Sequence, residues 1–213
     1  MEGNRMKKIY MYLLDTMADW EHGYLLQGLT LQGMKETSSF ELVTVGISKE
    51  PVTTAGGLKI IPDICVNEMD EEQAAALVLI GADTWMEDQH QPILKRAASF
   101  LETGKTVAAI CGATLGLAKQ GILNRYQHTS NALFYLQSID TYNGSSYYID
   151  KVAVIDQNLI TASSAGSLLW AKYIMENLKL YSAQTLDAWY HYFSTGQVEY
   201  FEKLMASINE ENQ

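Results

Sequence analysis

The stretch AAICGATLG, residues 108–116, sets one cysteine among alanine and glycine, after an apolar run and before a helix-patterned segment. Upstream, TVAAIC (106–111) is apolar almost throughout, as a strand buried on both faces requires. Downstream, ATLGLAKQGIL (113–123) has helical spacing and runs out near Gly121. A strand that turns at once into a helix, framed by Ala109 and Ala113, has the form of a nucleophile elbow. Strand and helix nearly touch there, so the neighbours must be small, and Cys111 is held in a strained backbone conformation. The residues alone leave a second reading open, a buried cysteine that only packs.

The pattern repeats outward along the chain. KKIYMYLLD (7–15), FELVTVGIS (40–48) and ALVLIGAD (76–83) read as strands, the last stopping at Gly81. Between the first two, WEHGYLLQGLTLQGM has helical spacing, with Thr16 and Asp19 as expected N-caps. VTTAGGLKIIPDICV (52–66) reads as a hairpin turning at Gly56-Gly57 and includes Cys65. QPILKRAASFLETG (91–104) is a helix closed by Gly104. QHTSNALFYLQ (127–137) and YYIDKVAVIDQNLITAS (147–163) read as strand-rich, with a turn at Asp156-Gln157-Asn158, and SLLWAKYIMENLKLY (167–181) as an amphipathic helix.

Apolar strands alternating with helices predict an α/β three-layer sandwich, a mostly parallel, flavodoxin-like sheet with helices on both faces. Residues 1–182 form its domain. Residues 183–213 add a helical extension, split at Gly196 and packed on the same domain. Ligands of such sheets bind beyond the carboxyl ends of the strands. The Asp15–Glu21 turn, Gly81 and Cys111 all fall there.

Composition narrows the function. A net charge of −10 over 213 residues opposes nucleic acid and anionic membrane surfaces, so neither is expected as a partner. Met1 to Lys8 is polar and has no signal-peptide pattern, and no charge-free window reaches membrane-spanning length. With two cysteines and no disulfide framework, a reducing cytoplasm is the expected compartment. No HExxH, CxxC or phosphate-cradling GxxxxGK[ST] occurs, so neither a metal nor another cofactor is expected.

At a strand-to-helix turn, the N–H groups and dipole of the helix are expected to lower the Cys111 pKa. The Gly112 N–H, with a second donor from Gly81-Ala82, is placed to receive an oxyanion. AAICGATLGLAKQGIL resembles the elbow of the PfpI family, in the class I glutamine amidotransferase-like superfamily. VLIGAD, GGLKIIPDICVNEM and NLITASSAGSLLWAKYIMENL resemble three further segments of that family in the same order. The resemblance covers roughly Lys7 to Leu180. It implies that Glu21, in ADWEHG, is the glutamate whose carboxyl contacts the cysteine. On the residues alone, Glu21 also reads as an acidic first-turn residue. The resemblance further implies homodimers.

The pattern departs from the family at the base. Where many members carry a histidine directly after the cysteine, this chain has Gly112. Where others carry Thr-Thr-His, an ungapped match puts Asn131 at the histidine position, with His128 three residues earlier and of opposite parity in a strand. His128 remains the candidate base, but Asn131 is expected to face the pocket with His128 turned away. His22, His90 and His191 are weaker candidates.

The resulting expectation is a cysteine-dependent hydrolase or amidase-like enzyme with a small carbonyl or amide substrate. Cys111 and Glu21 are its reactive pair, and Gly81, Ala82 and Gly112 form its oxyanion site. The alternative is a non-hydrolytic thiol redox or stress sensor, or a binding protein that keeps the cysteine-glutamate pair without a full triad.

Overall fold

Strand β1 (Lys7–Tyr12) forms because Ile9, Tyr10, Met11 and Tyr12 are all buried, so the run has no solvent face. The computed structural model describes residues 6–34 and 39–212. Met1 to Arg5, most of the stretch read as lacking a signal peptide, lie outside them. β1 is flanked by β2 (Phe40–Gly46) and β6 (Ala74–Leu79), both parallel to it. β7 (Thr106–Ile110) and β9 (Leu159–Ala162) continue the parallel sheet, and β8 (Ala153–Asp156) closes it antiparallel to β9. At the opposite edge, β5 (Ile64–Cys65) pairs with β2, completing seven strands in the order β5-β2-β1-β6-β7-β9-β8. Cys65 therefore lies in an edge strand of the main sheet. The expected hairpin is shorter, β3 (Val52–Thr53) with β4 (Lys59–Ile60), turning through Gly57 at φ +89°.

The chain moves one way from β1 to β2 and the other way from β6 to β7. Right-handed crossovers then put helices α1 (Gly23–Thr30) and α2 (Gln91–Glu102) on opposite faces. α5 (Ser167–Asn177) packs with α1 and covers β7, β8 and β9, giving three layers. The order reverses beside β1 and β6, so a crevice opens at their carboxyl ends, next to α3 (Ala113–Lys119).

Two local expectations are corrected. Thr16 and Asp19 do not cap α1, which begins at Gly23 after His22 without a side-chain cap. Instead, the Thr16 Oγ1 accepts the Asp83 N–H at 2.9 Å and the Asp19 Oδ2 accepts the Gly56 N–H at 2.6 Å. Residues 127–137 are not strand-rich. His128 makes one isolated bridge to Tyr148, and Leu133–Gln137 is a short helix, α4. β8 occupies the side of β9 that this segment would otherwise extend. It is tied down through the Thr129 N–H to Thr161 Oγ1 and the Thr129 hydroxyl to the Lys151 carbonyl.

The extension is two helices, α6 (Ala183–Thr195) and α7 (Val198–Glu210), separated by Gly196 at φ +70°. Leu186, Trp189, Leu204 and Ile208 enter the same buried core as the sheet. The Trp189 indole N–H donates to Gln27 Oε1 on α1 at 2.5 Å. Three of the four tryptophans, Trp85, Trp170 and Trp189, are buried, while Trp20 is 59 % exposed. Among the described residues, no helix is long and apolar enough to cross a membrane.

If α6 and α7 unfold together with the sheet, Trp189→Ala should lower the stability of the whole domain by about 3–5 kcal/mol. Urea unfolding followed by circular dichroism should still show a single, earlier transition. An unchanged main transition would make the extension a separate unit.

Candidate active site

Three connections converge on the crevice. Residues 13–22 leave β1, residues 80–85 leave β6, and Cys111 follows β7 directly. Cys111 has φ +55°, a left-handed conformation that a non-glycine residue adopts at a cost of about 1–3 kcal/mol. Its N–H donates to the Ala162 carbonyl at 2.9 Å, and its own carbonyl accepts the Thr114 hydroxyl at 2.6 Å and the Thr114 N–H at 3.1 Å. These bonds fix the bend from both sides. Gly112 is small for a visible reason: a Cβ there would lie 2.5 Å from the Ala82 carbonyl oxygen.

Gly81 marks the closest approach. A Cβ on it would lie 2.6 Å from the Cys111 Cβ, and 2.6 and 2.9 Å from the two Glu21 carboxyl oxygens. Only glycine lets the thiol residue and the carboxyl share this space. Glu21 is fully buried and accepts the Gly81 N–H at 2.7 Å through Oε2. Its Oε1 is buried without a hydrogen bond of ordinary geometry, and the adjacent Cys111 thiol is the polar group near enough to supply one.

The oxyanion expectation changes accordingly. The Gly81 N–H already serves Glu21 and is not free for an oxyanion. Ala82 and Gly112 remain as backbone candidates, packed against each other.

The Asn131 Nδ2 donates to the Cys111 Sγ at 3.1 Å, while its Oδ1 accepts the Ser164 N–H at 2.9 Å. That second bond fixes which end of the amide meets the sulfur. His128 is turned away. Its Nδ1 is 2.7 Å from the Tyr126 carbonyl and its Nε2 is 2.9 Å from the Tyr142 hydroxyl, so both ring nitrogens are engaged. The other histidines are placed elsewhere as well. His90 lies between the Tyr12 hydroxyl at 2.8 Å and the Thr84 hydroxyl at 3.1 Å, and His191 stacks on Tyr200. His22 follows Glu21 with Nδ1 buried and unpartnered, and burial holds its pKa below the usual imidazole value.

Electrostatics run against the sequence expectation of a ready thiolate. Burial pushes the Cys111 thiol up to about 11. The Asn131 amide and the Gly112 N–H oppose that rise, and the Glu21 carboxyl adds to it. The short helix α3 does not offset the loss of water around the sulfur. Burial also raises the Glu21 pKa, against the hydrogen bonds from Gly81 and Cys111. The pair therefore rests with the thiol protonated, beside a carboxyl that takes up a proton more readily than an exposed glutamate.

Sequence reading missed Tyr135. This half-buried α4 residue has its phenol pKa raised by burial, and then by the charges of Cys111, Asp83 and Glu21. Reading 127–137 as strand hid it. Among the described residues, no cluster of three or more histidine, cysteine, aspartate or glutamate side chains is arranged to hold a metal ion.

Residues 7–177 match the DJ-1/PfpI family. This chain belongs to that family. A relative named "Uncharacterized protease YoaZ" from Bacillus subtilis is 44 % identical over 206 residues, 95 % of this chain and 98 % of its own length. A second Bacillus subtilis relative, "Uncharacterized protease YdeA", is 30 % identical, with coverage of 85 % and 88 %. The structure of a ThiJ/PfpI family protein from Bacillus anthracis superposes with a TM-score of 0.91 at 42 % identity, covering 98 % of this chain and all of that one. A DJ-1 superfamily protein from Agrobacterium tumefaciens gives 0.79 at 27 % identity, covering 90 % of this chain and all of its own. The mostly parallel sheet described above is thus the DJ-1/PfpI fold.

With the thiol protonated at rest, Cys111 alkylation by iodoacetamide should be slow at pH 8 and keep rising toward pH 11. Glu21→Gln removes a carboxyl that raises the thiol pKa, so alkylation at pH 8 should quicken by about tenfold. Mass spectrometry of the Cys111 peptide separates this signal from Cys65. An unchanged pH profile in Glu21→Gln would detach the carboxyl from the thiol's chemistry.

Proposed function

We propose that this DJ-1/PfpI family member is a cysteine-dependent enzyme acting on a small carbonyl compound. The observation that carries the reading is the buried Glu21 carboxyl meeting Cys111 across Gly81, while both nitrogens of His128 are engaged elsewhere. The carboxyl is then the group that moves the proton.

In this scheme the Cys111 Sγ attacks the carbonyl carbon and a C–S bond forms. The π pair moves to the carbonyl oxygen, and the thiol proton passes to Glu21. Ala82 and Gly112 N–H groups receive the oxygen. Glu21 then returns the proton to that oxygen, giving a neutral adduct with no net redox change. Asn131 supports the sulfur as negative charge develops, through its Nδ2 at 3.1 Å. An aldehyde is held at this stage as a hemithioacetal; where it carries a neighbouring carbonyl, Glu21 can move the proton from one carbon to the next, giving a thioester that water cleaves to a hydroxy acid and free Cys111. An amide must also expel an amine and admit water, steps for which a placed imidazole base typically contributes about 10²–10⁴-fold. Aldehydes and related activated carbonyls therefore suit the site better than peptide bonds. The word protease in the names of two relatives fits the same thiol acting on acyl groups, with slower turnover.

A second reading is a redox sensor, in which a peroxide oxidises Cys111 to a sulfenic acid. The Asn131 amide favours it, because a donor fixed at the sulfur also stabilises a sulfur-bound oxygen anion.

A panel of small aldehydes and amides, assayed for turnover, tests the reading. Turnover should be abolished by Cys111→Ser and reduced about tenfold or more by Glu21→Gln. It should survive in His128→Gln once corrected for the folded fraction. Loss of turnover in His128→Gln with Glu21→Gln unaffected would return the base to the imidazole. Stoichiometric peroxide oxidation of Cys111 without turnover of any carbonyl would favour the sensor.

A further inference from the structure

The segment that carries Glu21 is clamped from two sides. On one side, the Ala18 N–H donates to the Gly81 carbonyl at 2.9 Å, and the Asp83 N–H donates to Thr16 Oγ1 at 2.9 Å. On the other, the β3–β4 hairpin is bonded to the same segment. The Thr16 N–H donates to the Thr53 carbonyl at 2.8 Å, and the Ala55 N–H to the Met17 carbonyl at 2.9 Å. The Thr53 N–H donates to Asp15 Oδ1 at 2.7 Å, and the Gly56 N–H to Asp19 Oδ2 at 2.6 Å. A two-stranded ribbon of this size is not stable by itself, so its place depends on these bonds. Thr16 adopts φ +65°, a marked outlier for a β-branched residue, at the point where both sets of bonds meet.

The clamp answers a physical problem. A buried carboxyl gains hydration by swinging out to water. Its neighbour Trp20 is 59 % exposed, so water lies one residue away. We propose that Asp19 is a positioning residue for the cysteine site: by seating the Gly56-Gly57 turn on the 15–21 segment, it holds the Glu21 carboxyl against Cys111. The proposal rests on the reading that Glu21 governs the Cys111 thiol. Asp19 reaches neither substrate nor sulfur and acts through Glu21, two residues on. The Thr54 hydroxyl and the Gly56 N–H keep its carboxyl below the usual range, so it is ionised when it grips the turn.

Gly56 offers an independent handle. A Cβ there would lie 2.8 Å from Asp19 Oδ2, the movable end of a side chain, and Gly56 is outside the left-handed region. Gly56→Ala therefore displaces the Asp19 carboxyl without straining its own backbone.

The experiment measures the pH profile of Cys111 alkylation by iodoacetamide in the full chain, read from the Cys111 peptide by mass spectrometry. It compares wild type with Asp19→Ala, Asp19→Asn, Gly56→Ala, Glu21→Gln and the Asp19→Ala/Glu21→Gln double variant. Asp19→Ala and Gly56→Ala should alkylate about fivefold or more faster than wild type at pH 8, moving toward Glu21→Gln. Asp19→Asn keeps an oxygen for the Gly56 N–H and should stay within about twofold of wild type. The double variant should be no faster than Glu21→Gln alone, because both changes act on one contact.

Wild-type rates in Asp19→Ala and Gly56→Ala, with Glu21→Gln accelerated, would overturn the proposal and leave the Glu21–Cys111 reading standing. Additive acceleration in the double variant would also overturn it, since Asp19 would then only keep the pocket closed. A wild-type rate in Glu21→Gln would sink the underlying reading and the proposal together. Should Asp19→Ala fail to fold, Gly56→Ala and its double variant with Glu21→Gln decide the matter.

Discussion

The site depends on the space that Gly81 leaves empty. Cys111 at the end of β7 and Glu21 beyond β1 come from strands on either side of β6, and their side chains converge where a Gly81 side chain would stand. The parallel sheet makes this possible because it delivers three connections to one edge. The same contact explains why the Gly81 N–H is spent on the carboxyl, and why the bend at Cys111 cannot relax toward β6 without meeting that carboxyl.

Burial dominates the chemistry of this contact. A thiol at a helix start has favourable N–H groups, and here an amide donor as well, yet the loss of water outweighs both. The site is therefore a poor store of thiolate. In the proposed scheme the pair instead passes a proton between sulfur and carboxyl as an electrophile arrives, since burial disfavours the charged form of both groups.

The fold was legible in the sequence because its strands are largely apolar and several of its turns carry glycine at positive φ, as at Gly57, Gly104 and Gly121. Cys111 was legible for the opposite reason, as a non-glycine residue framed by small ones. What stayed hidden was tertiary. Asp19 and Thr16 read as helix caps because a short polar residue before an apolar run is the ordinary cap signal. Their partners, Gly56 and Asp83, lie far along the chain and leave no local trace. The 127–137 segment read as strand because its composition permits one. Its fixing bonds, from Thr129 to Thr161 and Lys151, are made to residues distant in sequence. The elevated thiol pKa was also out of reach, because desolvation depends on how completely distant side chains close over the sulfur.

The uneven placement of the tryptophans gives the molecule an optical probe of its own. Three indoles are sealed in the core, and the fourth, Trp20, stands in water immediately before Glu21. Emission at the red edge of the intrinsic fluorescence, and the part quenched by acrylamide, therefore come chiefly from the one residue that moves whenever the Glu21 turn moves. An occupant of the crevice that shifts this turn announces itself without a label, while the blue-edge signal of the buried indoles serves as an internal reference for the intact fold.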